Sequence, residues 1–155
     1  MQFGDARNWK HENIESLGRD LNRFYIAQNI AYLGLQDVRN RLSGWSGPSA
    51  TAAFQRIDEL IRITQGQENR NIFAHTRFGE ISTKVEEFEL GIKRLLEIAE
   101  TSGYDLMDDG TAIRKEGSSS TGATQEELEV SARAYVSDAD EQDLIATDLL
   151  RGMVE

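Results

Sequence analysis

The sequence predicts an all-α protein built on an antiparallel helical hairpin, and three observations support this fold class. Apolar residues recur every three or four positions through two long segments that flank Trp45–Pro48. The 155 residues include a single Pro, at position 48, so no other Pro interrupts either segment. Charged residues make up 28% of the chain and aromatic residues 8%, a composition typical of long helices with one solvated face.

The predicted hairpin turns at Trp45-Ser46-Gly47-Pro48. Gly47 can adopt a positive φ, and Pro48 suits the first turn of a new helix. Trp45 is predicted to close the end of the hairpin as a buried side chain, which would make its loss cost about 3–5 kcal/mol. The alternative is that Trp45 serves as an exposed recognition residue.

The first helix is predicted over Ala6–Leu42, with Asp5 as its N-cap. Its heptad-like apolar positions are Ile14, Leu17, Leu21, Phe24, Ala31, Leu35, Val38 and Leu42. A second stripe of Ile26, Ile30 and Leu33 lies beside this seam. Because one seam is enough for a two-helix hairpin, the second stripe predicts a further surface to pack against.

The second helix is predicted to start near Pro48 and to run to about Thr101; roughly 50 residues give a length of about 75 Å, against about 54 Å for the first helix. Its seam comprises Ala53, Ile57, Leu60, Thr64, Gln67, Asn71, Ala74, Phe78, Ile81, Val85, Phe88, Ile92, Leu95 and Ala99. The polar part of this seam, Thr64–Asn71, is predicted to be a weak or kinked zone. The excess length must be covered by a later part of the chain or by a partner.

The remaining chain is predicted to fold back onto the hairpin. Gly103 ends the second helix, and residues 104–113 form a small β-hairpin around an Asp-Gly turn. Residues 117–123 have the composition of a flexible linker, and Thr124–Glu127 is a capping box that starts a third helix. The predicted parts, residues 1–103, 104–123 and 124–155, form one domain.

Charge and composition exclude several classes of function. With 17 basic and 27 acidic residues, the net charge of −10 repels nucleic acid and anionic lipid. The absence of Cys excludes disulfides, thiolate metal sites and a Cys nucleophile. No apolar stretch is long enough to span a bilayer, and residues 1–10 lack the pattern of a cleaved signal peptide.

No catalytic, metal or cofactor site is predicted. Gly44–Pro48 is not a nucleophile elbow, because Pro48 stands where Gly is needed. His11 and His75 lie far apart in the sequence and have no metal-ligand spacing around them. Positions 105–116 resemble an EF-hand loop only in part, since Met107 replaces an oxygen ligand and no helix follows directly.

A long helix, the W-x-G turn at Trp45 and Gly47, and a second long helix resemble the WxG family of early-secreted-antigen-like proteins of type VII (Esx-type) secretion. The stretch Leu42–Phe54, with small residues after the turn and then a Phe, is similar to the family pattern. The resemblance extends over residues 14–99. The C-terminal part of the chain, with a hydrophobic residue followed by Asp-Asp-Gly and then a further helix, is similar to that of longer actinobacterial members of the family.

The resemblance implies a noncatalytic secretion substrate or secretion partner. Such proteins pair with a second hairpin, a copy or a sister protein, in a four-helix bundle, and reach the secretion ATPase without a cleaved signal peptide. The expected location is therefore the cell envelope or outside, with a cytoplasmic pool before export. The family's Y-x-x-x-[D/E] export signal has two imperfect candidates here, Tyr104 with Asp108 and Tyr135 with Asp138.

The expected partner surface combines the second stripe with two residues of the second helix. These residues are Ile26, Ile30, Leu33, Phe54 and Ile61. The alternative is that the third helix covers this surface. A second functional hypothesis is an intracellular helical scaffold or adaptor unrelated to secretion, in which W-x-G is only a turn.

Overall fold

The computed structural model describes residues 1–118 and 121–154, and it is 79% helical. The described chain forms four helices and one two-stranded antiparallel sheet, so the predicted, mostly helical class is confirmed. The elements are α1 (Phe3–Arg7), α2 (His11–Arg41), α3 (Pro48–Thr101), β1 (Tyr104–Leu106), β2 (Ala112–Arg114) and α4 (Gln125–Val154).

The longest element, α3, has the other two long helices packed along it. Contacts pair His11 of α2 with Glu89 of α3, and Arg39 with Asp58, so these two helices run antiparallel. Helix α4 returns along α3 from Tyr135, beside Gly91, to Leu149, beside Ala74. The 54 residues of α3 span about 81 Å and the 31 of α2 about 46 Å. The polar stretch 64–71 does not interrupt α3.

The hydrophobic core lies along the C-terminal half of α3. There the predicted seam is buried at every position from Asn71 to Ala99, because α4 and α2 both pack against this half. Helix α4 contributes Leu128, Ala132 and Ala139 as buried residues. We call this part the base: residues 1–21, 71–118 and 121–154.

The remaining part of the hairpin, residues 22–70, contains only α2, α3 and their connection, and we call it the stalk. Every residue of the stalk is described, and Ala50 is the only buried one. Helix α4 ends beside Arg70 and Phe73, where its last turns and α3 form an open groove of about 190 Å³. The stalk therefore extends past the end of α4 as a pair of helices.

The start of the first predicted helix was wrong, because the chain breaks between two helices there. Helix α1 ends at Arg7 and α2 begins at His11. Asp5 is not an N-cap of the long helix; its carboxylate accepts a 2.9 Å hydrogen bond from the backbone N–H of Gln2 inside α1. The break lets α1 turn onto the β-hairpin and α4, where Phe3 is 0% exposed and Gly4 N–H donates to the Asp108 carbonyl at 2.8 Å.

A carboxylate from α3 caps the first turn of α2. Lys10, the N-cap residue, makes no capping hydrogen bond with its own side chain. Instead Glu89 accepts the backbone N–H of His11 at 3.4 Å, pairs with the His11 ring, and contacts Lys10 Nζ at 3.1 Å. A negative charge at a helix N-terminus is favourable because it satisfies free N–H groups and opposes the helix dipole.

The predicted β-hairpin and capping box are both present. Tyr104 pairs with Arg114 and Leu106 with Ala112, and Gly110 in the turn has a φ of +86°. Thr124 Oγ1 accepts the Glu127 N–H at 3.2 Å, while the Glu127 carboxylate accepts the Thr124 N–H at 2.9 Å.

The predicted linker at 117–123 lies partly outside the described residues, at positions 119 and 120. Its described residues contact the base on both sides of that gap. Ser118 Oγ donates to the Lys115 carbonyl at 2.8 Å, and the Ala123 N–H donates to Ser102 Oγ at 2.9 Å. The described ends are therefore tied to the end of α3 and to the β-hairpin.

Two glycines of α3 allow a matched test of how α4 packs. A Cβ placed on Gly91 would lie 2.6 Å from Cζ of Tyr135, whereas Gly79 has nothing within 4 Å. Gly91→Ala is expected to lower the free energy of unfolding by about 1–3 kcal/mol through overpacking. Gly79→Ala should raise it by about 0.5–1 kcal/mol, because Ala favours a helix. Urea unfolding followed by circular dichroism measures both; equal effects of the two changes would contradict this packing.

The cap at Glu89 predicts a pH-dependent contact. Its hydrogen bond raises the pKa of His11 above the ordinary value, despite partial desolvation. Burial raises the pKa of Glu89, but hydrogen bonds from His11 and Lys10 outweigh it, so the pKa is lowered overall. The contribution of protonated His11 to the free energy of unfolding is complete below the ordinary pKa of about 6.5. It is lost as the pH rises through the raised pKa of His11. The contribution of ionised Glu89 to the free energy of unfolding is lost as the pH falls through the lowered pKa of Glu89.

We therefore expect the contact to be intact at mildly acidic pH. An NMR titration of the His11 ring should give a pKa above that of a model peptide, and Glu89→Gln should lower it. Glu87→Gln is the control, since Glu87 pairs with Lys84 instead. An unchanged His11 titration in Glu89→Gln would show that the capping contact does not form in solution.

Candidate partner-binding site on the stalk

Polar side-chain contacts join the two helices at several points along the hairpin, between half-buried apolar residues. Asn71 Nδ2 donates to Gln28 Oε1 at 2.5 Å, and Asn29 Nδ2 donates to Glu68 Oε1 at 2.6 Å. Nearer the turn, the Arg39 guanidinium forms an ion pair with Asp58. These contacts place polar residues of α2 among the side chains that face α3.

The inward side of α2 therefore differs from the predicted seam. Among the positions that are at least half-buried, one set has 3-4 spacing: Ile14, Leu17, Leu21, Tyr25, Gln28, Tyr32, Leu35, Arg39 and Leu42. The predicted seam residues Phe24, Ala31 and Val38 are exposed instead, Phe24 by 62%. Sequence patterning selected them because it assigns apolar side chains to the inside, whereas the neighbouring residues Tyr25, Tyr32 and Arg39 take the inward positions here.

The second stripe on α2 is bare. Ile26, Ile30 and Leu33 are 48%, 66% and 54% exposed, and α4 does not extend along this part of the hairpin. From Phe24 to Gln36 the helix contains no charged residue. An uncharged, exposed face of this kind on a long helix is typical of a surface that binds another protein.

The two α3 residues expected in the same surface are placed differently. Phe54 and Ile61 are half-buried. The Arg39 guanidinium lies 5.4 Å from the centre of the Phe54 ring, a cation–π arrangement that shields part of the ring. Of the five residues predicted to form the partner surface, only the three from α2 are therefore exposed.

The predicted burial of Trp45 was wrong. Its side chain is 46% exposed, in the connection between α2 and α3. Gly47 has a φ of +109° and Pro48 occupies the first turn of α3, as their residue types favour. Among the described residues only two helices lie at this end, and no third element encloses the indole ring.

The two candidate export signals lie in the base, and neither forms an exposed i, i+4 pair on a helix. Tyr104 is in β1, and Asp108 is in the following turn, where it pairs with Arg7 at 2.6 Å. Tyr135 lies in α4 with its ring packed against Gly91, and Asp138 is exposed on the same helix.

Within residues 1–118 and 121–154, no three His, Asp or Glu side chains converge as metal ligands. In the partial EF-hand segment, Asp109 accepts two hydrogen bonds from Thr111, at 2.6 and 2.9 Å, and Asp105 lies 3.4 Å from Lys115. These carboxylates are used in separate local contacts. No helix in the same described ranges combines the length and apolarity that crossing a membrane requires.

The different environments of Trp45 and Phe3 predict different effects on stability. Trp45→Ala should lower the free energy of unfolding by roughly 1 kcal/mol, because half of the ring is already in water. Phe3→Ala should lower it by about 3–5 kcal/mol, because Phe3 is fully enclosed. Urea unfolding of both variants measures the difference. A loss of more than about 3 kcal/mol for Trp45→Ala would indicate a buried indole.

The chain was also compared with models of known families, with curated proteins and with solved structures. None of the three comparisons finds a match. The functional assignment therefore depends on the stalk itself and on the sequence pattern around its turn.

Proposed function

We propose that the protein acts without catalysis, as a type VII secretion substrate or as the partner that accompanies one, and that it works by pairing its hairpin with another helical hairpin. The observation that carries this proposal is the exposed, uncharged face of α2 formed by Ile26, Ile30 and Leu33. A second hairpin laid against this face would convert the two-helix stalk into a four-helix bundle.

The energetics of the stalk support pairing with a partner. The polar contacts between α2 and α3 in the stalk each contribute little to stability, and Ala50 is the only residue buried there. The three aliphatic side chains of the α2 face are about half exposed, so burying each of them fully would add roughly 1 kcal/mol. A partner helix thus supplies the apolar contact that neither α3 nor α4 makes there.

The remaining family features have definite roles in this proposal. Trp45 and Gly47 stand at the tip of the stalk, where an exposed indole is available to the secretion ATPase. Because Tyr104 and Asp108 lie in a strand and its turn, we propose that the partner hairpin supplies the helical export signal. Export then follows assembly, and the protein leaves the cell as part of the pair.

A second candidate function is an intracellular helical scaffold or adaptor. It is favoured by one observation: neither Tyr104 with Asp108 nor Tyr135 with Asp138 forms an exposed i, i+4 pair on a helix. In that case the same α2 face binds a resident partner, and Trp45 is an ordinary turn residue.

Export from cells with and without the type VII secretion ATPase tests the two functions. We expect the protein in the culture filtrate of the parent strain and only inside cells of the deletion strain, with export restored by complementation. A protein exported by the general secretory route controls for cell lysis. Unchanged export in the deletion strain, or retention inside the parent strain, would contradict the secretion proposal.

A further inference from the structure

A groove of about 400 Å³ lies on the base, near the C-terminal end of α3 and far from the turn at Trp45. It runs between α3 and the break that separates α1 from α2, and it is open to solvent. Its lining combines three cationic side chains with three aliphatic ones, and we call it the basic groove. These residues are Arg7, Lys10, Lys93, Leu90, Ile92 and Leu96.

The aliphatic part of the basic groove belongs to α3. Ile92 is buried, Leu96 is half-buried and Leu90 is 53% exposed. Leu90 and Leu96 are about 9 Å apart along the helix axis, a distance that about three residues of an extended peptide cover. Small apolar ligands are bound in pockets that enclose most of their surface, and this groove is open. Its shape therefore suits a short peptide segment better than a lipid chain.

The cations of the basic groove outnumber its carboxylates. Glu89 is the carboxylate of the lining, and it already contacts Lys10 Nζ at 3.1 Å and pairs with the His11 ring. Arg7 pairs with Asp108 at 2.6 Å. The negative charge of Glu89 is therefore shared between two partners, and it does not neutralise the remaining cation of the lining.

Lys93 supplies the excess positive charge. Among the residues that the structure describes, no carboxylate lies within ion-pair distance of its ammonium group. The groove between α3 and α4 differs, because its cations Arg77 and Lys84 pair with Glu80 and Glu87. At physiological salt, exposed charges more than about 8 Å apart are largely screened. The local excess therefore attracts an anionic group, although the whole chain has a net charge of −10.

We infer that the basic groove binds a short acidic segment of a partner protein, with an aliphatic side chain against α3 and carboxylates at Lys93 and Lys10. Lys10 has three N–H donors, so it can contact a ligand while it holds Glu89. Alternate side chains of an extended segment point to one side, so acidic, aliphatic and acidic residues at alternate positions fit this groove. The inference goes beyond the proposed pairing function, because the groove lies on the base and not on the stalk.

An NMR titration of the isotope-labelled full chain with a blocked pentapeptide, Glu-Ser-Leu-Ser-Glu, tests the site. We expect saturable shifts of the backbone amides of Leu90, Lys93 and Leu96. The peptide Glu-Ser-Ser-Ser-Glu should bind more weakly, because it has no aliphatic side chain to bury. The peptide Lys-Ser-Leu-Ser-Lys should leave these amides unshifted, because like charges repel.

Two matched pairs of variants test the contacts. Lys93→Glu should raise the dissociation constant of the acidic peptide roughly fivefold or more, because an attraction becomes a repulsion. Arg94→Glu makes the same change of charge at an exposed position outside the groove, and should raise it by less than about twofold. Leu90→Ser should also weaken binding, whereas Ile98→Ser, at a 47% exposed position outside the groove, should not. Circular dichroism should show parental helicity for all four variants, since the replaced side chains are exposed.

The outcomes are distinct from those of the export experiment. The inference is overturned by an acidic peptide that shifts no groove amide at about 5 mM, or by equal weakening in Lys93→Glu and Arg94→Glu. Shifts of the same amides by dodecanoate but not by the peptide would assign the groove to a small amphiphile, and would also overturn it. ATPase-dependent export would stand in each case, because it tests the stalk and not the basic groove.

Discussion

The structure depends on one geometric constraint: α3 is longer than the helices available to cover it. Helix α4 packs along α3 only as far as Arg70 and Phe73, and beyond that point α2 is the one neighbouring helix in the described part of the chain. Two helices alone leave most side chains between them partly exposed to solvent. In the stalk only the small side chain of Ala50 is buried. The division into a well-packed base and a thin stalk, the exposure of Trp45 and the bare α2 face all follow from this difference in length.

The same constraint explains which parts of the fold the sequence could predict. Spacing identified the buried side of α3 from Asn71 to Ala99 because this half is covered by other elements and patterning reflects burial. Local residue chemistry also determines the bounds of α3, the strand pair around the Asp-Gly turn and the capping box at Thr124. Such features can be predicted because the residues that determine them are close together in the sequence. In the stalk the pattern failed for Phe24, because an exposed apolar residue and a buried one look alike in sequence.

Other features depend on contacts between residues far apart in the chain. Phe3 is enclosed because α1 packs against the β-hairpin and α4, and residues 1–10 give no sign of those partners. Glu89 caps a helix whose first residue lies 78 positions earlier, so no local motif marks it. Spacing selected Ile26, Ile30 and Leu33 as a second stripe, and they are exposed; their binding of a partner stays a prediction. The polar contacts that turn this stripe outward, such as Gln28 with Asn71, could not be anticipated from spacing.

The orientation of α2 is set in the base, which explains why the stalk cannot bury its own apolar face. Leu21 is buried, the Gly18 carbonyl accepts a hydrogen bond from His75 at 2.8 Å, and Glu89 holds the first turn. Because α2 is one continuous helix, turning Ile30 toward α3 would rotate Leu21 out of the core and break the Gln28–Asn71 contact. The apolar face therefore stays outward as long as the base is folded. A second helix brought from outside can cover it without disturbing any of these contacts.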